Sequence, residues 1–139
     1  MISWGDPAGS LRLGIEAADG LVLWLENVGD TALTVLSHVR TAGGPHLDWY
    51  GVVLTSPAGD TIRLVLVDDR DRSATARADL APGETLSHRV DVTAWASRPV
   101  NGGRPLPAGR YQARAYYEVD PEPDVWSGRV DSGSVFIIL

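Results

Sequence analysis

Leu106-Pro-Ala-Gly-Arg-Tyr-Gln-Ala-Arg-Ala-Tyr-Tyr-Glu-Val119 decides the fold class of this chain. A Pro-x-Gly turn opens the stretch, and apolar and polar residues then alternate strictly, as they do in a strand with one wet face. Tyr111, Ala113, Ala115, Tyr117 and Val119 fall on one side and are expected to be buried; Gln112, Arg114, Tyr116 and Glu118 fall on the other. Small alanines between two tyrosines leave room for a bulky partner opposite, with Trp24 and Trp95 the candidates. A tyrosine just after such a turn suits a tyrosine corner, in which the Tyr111 hydroxyl bonds backbone a few residues upstream. An earlier stretch, Leu80-Ala-Pro-Gly-Glu-Thr-Leu-Ser-His-Arg-Val-Asp-Val-Thr-Ala-Trp95, has the same turn-then-alternation form.

Working outward, residues 11–17 alternate around Leu11, Leu13 and Ile15. Asp19-Gly20 is a hairpin signal. Residues 21–26 are apolar on both faces, which marks a central strand and places Trp24 in the core. Further strands are expected over 32–39, 49–55, 61–67, 74–78 and 134–139, separated by Pro, Gly and Asp turns. No helical periodicity exceeds one turn. The reading is all-β: an antiparallel immunoglobulin-like β-sandwich of about eight or nine strands, a single domain over 1–139. A closed barrel is its rival within the class.

The totals narrow the function. Twelve basic residues, all arginine, stand against 18 acidic ones for a net charge of -6, which argues against nucleic acid as a partner. No cysteine is present, so disulfides, thiolate metal sites and a cysteine nucleophile are excluded. No apolar run approaches the roughly 20 residues of a membrane span. The first residues show neither a basic nor an apolar leader segment, so a cytoplasmic location is expected.

Glu26-Asn-Val-Gly-Asp30, Pro57-Ala-Gly-Asp60, Leu80-Ala-Pro-Gly-Glu84 and Pro107-Ala-Gly-Arg-Tyr111 fall in an order that resembles two small all-β families. One is the bacterial intracellular proteinase inhibitor family; the other is the immunoglobulin-like domain preceding the catalytic domain of deuterolysin-type metallopeptidases. The resemblance spans roughly residues 20–119 and implies the immunoglobulin-like fold and, through the first family, proteinase inhibition. Trp95 sits near the place of a tryptophan usual in the inhibitors. No reactive-site loop carries over residue by residue.

Catalytic and metal motifs are sparse. His38, His46 and Asp48 contain one His-x-Asp, short of the three or four ligands of a zinc site. Asp68, Asp69 and Asp71, and Asp120, Glu122 and Asp124, lack the spacing of a calcium loop and read as solvated. His88 shares the parity of Leu86 and Val90 and is expected to point inward. No nucleophile elbow, Walker loop or dinucleotide fingerprint occurs. No enzyme activity, metal or cofactor is therefore expected.

Aromatics offer the livelier signal, since five tryptophans and four tyrosines are many for 139 residues. Trp49, Tyr50 and Trp126 adjoin loops and are candidates for partner binding. Phe136 and Ile138 join them, because residues 135–139 are apolar on both faces and leave two large side chains outside the core. Trp24, Trp95 and Tyr111 are assigned structural roles. The expected function is a non-enzymatic binding or accessory module recognising a protein partner or a second copy of itself. Proteinase inhibition and carbohydrate binding are the alternatives.

Overall fold

The computed structural model describes residues 1–42, 44–68 and 72–139, with backbone alone at 72 and 73. Among the described residues ten strands run in chain order: β1 (Ser3–Trp4), β2 (Leu11–Ala18), β3 (Gly20–Asn27), β4 (Leu33–Thr41), β5 (Tyr50–Thr55), β6 (Thr61–Val65), β7 (Arg72–Leu80), β8 (Thr85–Val90), β9 (Arg110–Val119) and β10 (Gly128–Ile138). They form two four-stranded antiparallel sheets, β1-β2-β3-β8 and β10-β9-β5-β6, and a two-stranded sheet of β4 and β7. The sheets do not close into a barrel.

Alternation explains the core. Leu11, Leu13 and Ile15 of β2 and Leu21, Leu23 and Leu25 of β3 are fully buried and meet the inner face of β9 in one apolar cluster. Each such leucine contributes about 2 kcal/mol by leaving water. Register aligns the layers: Leu13 lies opposite Leu25, Leu23 opposite His88, and Tyr50 opposite Tyr117. All five inner residues of β9 are buried. Tyr111 is 1% exposed, and its hydroxyl donates to Pro107 O at 2.8 Å, so the entry to β9 is held by its own first inner side chain.

The rings that pack on Tyr117 of the β9 inner face are neither Trp24 nor Trp95. Tyr117 packs against Tyr50 at 4.7 Å between ring centroids and against Trp126 at 5.6 Å. Trp24 lies on the outer face of β3, half-buried, its indole N–H donating to Glu16 at 3.3 Å. The residues of β3 are apolar on both sides, so alternation could not assign it a face. Trp95 is buried, but on a helix rather than a strand: after β8 the chain turns into α1 (Val92–Ala96), with Asp91 as N-cap accepting from Ala94 N–H at 3.0 Å. Asparate-capped residues rich in alanine take the helical turn once the sheet register with β3 ends at Val90.

A 3-10 turn (Pro99–Asn101) follows α1 and is tied to the edge of β6. Asn101 accepts from Val65 N–H and donates to Val65 O, both at 2.8 Å, and donates to Trp95 O at 2.9 Å. Asn101 thus stands in for a neighbouring strand at that edge. Strand β10 begins six residues earlier than the sequence pattern indicates. A bulge between Asp131 and Ser134 shifts its register against β9 and interrupts the alternation that would have announced it.

Candidate functional site

Between the sheets lies a polar node. Ser37 of β4 is 4% exposed, and its Oγ sits 2.9 Å from His38 Nδ1 and 3.2 Å from His88 Nε2. One hydroxyl proton serves only one ring, so the other imidazole must donate to Oγ. His88 points inward, edge-on to both His38 and Tyr50. Burial, with a smaller push from His38, lowers its pKa from 6.5 to about 4. Burial also raises the Tyr50 hydroxyl well above 10, and Tyr117 raises it further. That hydroxyl has no hydrogen-bond partner among the described residues. A serine between two histidines has the ingredients of an activated nucleophile, but this serine is enclosed in the core.

The residues weighed for metal do not converge. His38 faces the serine node, whereas His46 is buried near the far end of β4, edge-on to Trp95 at 5.5 Å. His46 Nδ1 accepts from Asp68 N–H at 3.3 Å. Among the described residues no three histidine or acidic side chains group together. Asp68 pairs with Arg98 at 3.1 Å, Glu122 pairs with Arg77 at 3.1 Å, and Asp69 and Asp71 lie outside the described residues.

Of the five side chains assigned to partner binding, two are available. Tyr50 is 4% exposed, and its assignment is corrected: it begins β5 with its ring directed into the core. Trp49 and Trp126 are half-buried and pack against the core, and Trp126 N–H donates to Ala8 O at 3.3 Å. These two rings pin loops to the sandwich. Phe136 and Ile138 are 52% and 75% exposed.

Phe136 and Ile138 belong to a larger surface that no single stretch of sequence announces. Register places Ile138 beside Arg110, Phe136 beside Gln112 and Ser134 beside Arg114. Across β9, Arg114 lies beside Val53 and Tyr116 beside Gly51, and on β6 Arg63 and Val65 follow in the same rows. The outer face of the β10-β9-β5-β6 sheet therefore carries Arg63, Arg110, Arg114 and Arg129 against two carboxylates, Glu118 and Asp131. Apolar patches from Phe136, Ile138 and Val65 lie between them. Tyr116 lies across Gly51, where a β-carbon would collide with its ring.

Guanidinium groups cover the aromatic rings. Arg110 sits 3.9 Å from the Phe136 ring centroid, and Arg63 and Arg129 sit 5.0 and 4.4 Å from that of Tyr116. Arg63 Nε also donates to the Tyr116 hydroxyl at 2.7 Å. Arg129 is engaged by Asp131 at 3.1 Å. Arg114 is exposed and has no carboxylate or ring partner among the described residues. It borders a dip of about 280 Å3 over the bulge, shared with Val53, Tyr116, Arg129, Asp131 and Ser134.

The chain matches no family model, no curated protein and no solved structure. Among the described residues no helix is long and apolar enough to cross a membrane. What bears on function is thus the surface itself. Phe136 and Ile138 also border an open groove of about 700 Å3, which reaches the Asp19-Gly20 hairpin and the start of α1.

Proposed function

We propose that the chain is a non-enzymatic binding module, an immunoglobulin-like sandwich whose β10-β9-β5-β6 outer face recognises a protein partner. One observation carries this reading. Three of the six exposed large hydrophobic residues among those described, Val65, Phe136 and Ile138, share that face with four arginines. Aromatic and arginine side chains are the types enriched where proteins bind one another. A large apolar side chain left on a wet sheet face marks a contact.

The alternatives draw on features that are engaged elsewhere. For carbohydrate, Trp4 and Trp24 are the available rings outside the core, but Arg12 covers Trp4 at 4.0 Å and Glu16 holds Trp24. For proteinase inhibition, residues 40–46 and 97–104 are the loops to present. The first contains residue 43, outside the described residues, and ends with His46 bonded back to Val39. Asn101 fastens the 3-10 turn of the second to β6.

Affinity capture compares the wild type with a Phe136→Asp, Ile138→Asp double variant whose fold is verified by circular dichroism. The expected result is a protein retained by the wild type and lost with the variant. Equal retention by both, or none by either, overturns the reading.

A further inference from the structure

We infer that the partner segment received by this face is acidic, and that one of its carboxylates docks on Arg114 in the dip over the β10 bulge. The inference rests on the binding reading above and narrows it to one chemistry.

Three observations converge on that occupant. The chain as a whole is acidic, at -6, yet this face sets four guanidiniums against two carboxylates. Asp131, the one acid that lines the dip among the described residues, is already held by Arg129 through two nitrogens at 3.1 and 3.3 Å. Arg114 projects between Val53 and Ser134, which carry no charge, so its planar fork is open to a bidentate carboxylate. Val53 and Tyr116 line the dip beside Arg114 on the side toward β5.

The same geometry argues against the other occupants. A second copy pairing through this face about a two-fold axis would bring together two faces that each carry an excess of arginine over carboxylate. Single-stranded nucleic acid needs open rings on which bases stack. Here Phe136 and Tyr116 are both covered by guanidinium groups.

The test is a nuclear magnetic resonance titration of the intact chain with poly-L-glutamate, with single-stranded oligo-dT as the competing polyanion. At about 50 mM salt, poly-L-glutamate is expected to shift the amides of Arg114, Tyr116 and Ser134. Raising salt to about 300 mM should weaken the effect strongly, since the Debye length shortens to several ångströms. Arg114→Gln should weaken binding about tenfold, the loss of one charge-assisted contact. Arg77→Gln, which alters an exposed arginine on another sheet, should leave it unchanged.

Shifts confined to other surfaces, an undiminished affinity in Arg114→Gln, or tighter binding of oligo-dT overturns the inference. So does light scattering that shows a dimer dispersed by Phe136→Asp. Its failure is separable from that of the binding reading. If the Phe136→Asp, Ile138→Asp variant loses the captured protein while Arg114→Gln keeps it in full, the face binds but the acidic anchor is wrong.

Discussion

On the outer face of the β1-β2-β3-β8 sheet, Arg12 stacks 4.0 Å from the Trp4 ring and donates to Glu26 at 2.6 Å, while Trp24 donates to Glu16. On the outer face of the β10-β9-β5-β6 sheet, Arg114 meets no carboxylate among the described residues, and Arg63 and Arg110 have only rings and a phenol for company. The two faces use the same residue types. Each even lays an aromatic ring over a glycine, Trp4 over Gly14 and Tyr116 over Gly51. The difference is in where the charges find their counterparts. The first face sets Arg12 and Arg89 against Glu16 and Glu26, so its charges balance. Arg89, exposed beside Val22, has no ion pair among the described residues, yet the balanced face has less to gain from a partner. The second leaves positive charge uncompensated beside exposed apolar side chains, and so has both electrostatic and hydrophobic free energy to gain on contact.

The largest effect to control when the faces are compared arises between them. His88 is neutral in the fold because burial and His38 lower its pKa from 6.5 to about 4. In the unfolded chain it protonates around its ordinary value. The unfolded state therefore binds the extra proton as pH falls from about 6.5 to about 4, and stability drops over that window by on the order of 3 kcal/mol. Above 6.5 both states are neutral and the contribution vanishes. Urea midpoints at pH 7 and pH 4, for wild type and His88→Gln, should show a steeper acid loss in the wild type. Parallel profiles would mean that His88 is solvated. Variants of either face belong above pH 6.5, where this proton is silent.

Next in size is the closed face. Arg12 is partly shielded, pairs with Glu26 and covers Trp4, so Arg12→Ala removes an ion pair and a cation–π contact together. A loss of about 1.5 kcal/mol is expected in urea unfolding. A neutral Arg12→Ala would erase the contrast from this side.

Tyr111→Phe is expected to cost about 1 kcal/mol, one net hydrogen bond with packing kept. Tyr111 is the second residue of the strand that presents Arg110, Gln112 and Arg114, and its bond to Pro107 O ties that strand to the turn before it. An unchanged midpoint would show that packing alone positions the open face.

How legible each part was in the sequence follows from how local its cause is. The β9 pattern needs only its own ten residues, because one side is wet and the other dry throughout. The exposure of Phe136 and Ile138 follows likewise from an apolar run that cannot bury both its faces. Tyr50 and Trp49 adjoin a loop in sequence, but the first residue of β5 turns inward, and only the pairing with Tyr117 shows it. Ser37 gave no signal at all, since its role depends on two histidines, one of them on another sheet. The arginine surface was invisible for a similar reason. Arg63, Arg110, Arg114 and Arg129 stand on three strands, β6, β9 and β10, and only the register across β5 and β9 makes them neighbours.

The smallest expected effect is the sharpest test of the contrast. Arg114 is exposed, its neighbours on β5 and β10 are uncharged, and no carboxylate among the described residues pairs with it. Its guanidinium makes no ion pair or hydrogen bond among the described residues, so Arg114→Ala removes no such interaction. Relief of repulsion from the other arginines offsets the little packing lost by its stem. The midpoint should move by less than about 0.5 kcal/mol in either direction. Set beside Arg12→Ala, measured under the same conditions, this gives a difference of about 1 kcal/mol between two arginines on equivalent sheet faces. A loss for Arg114→Ala as large as that for Arg12→Ala would mean that the side chain serves the fold. The open face would then be a finished surface like its counterpart, and the case for a partner there would lose its physical basis.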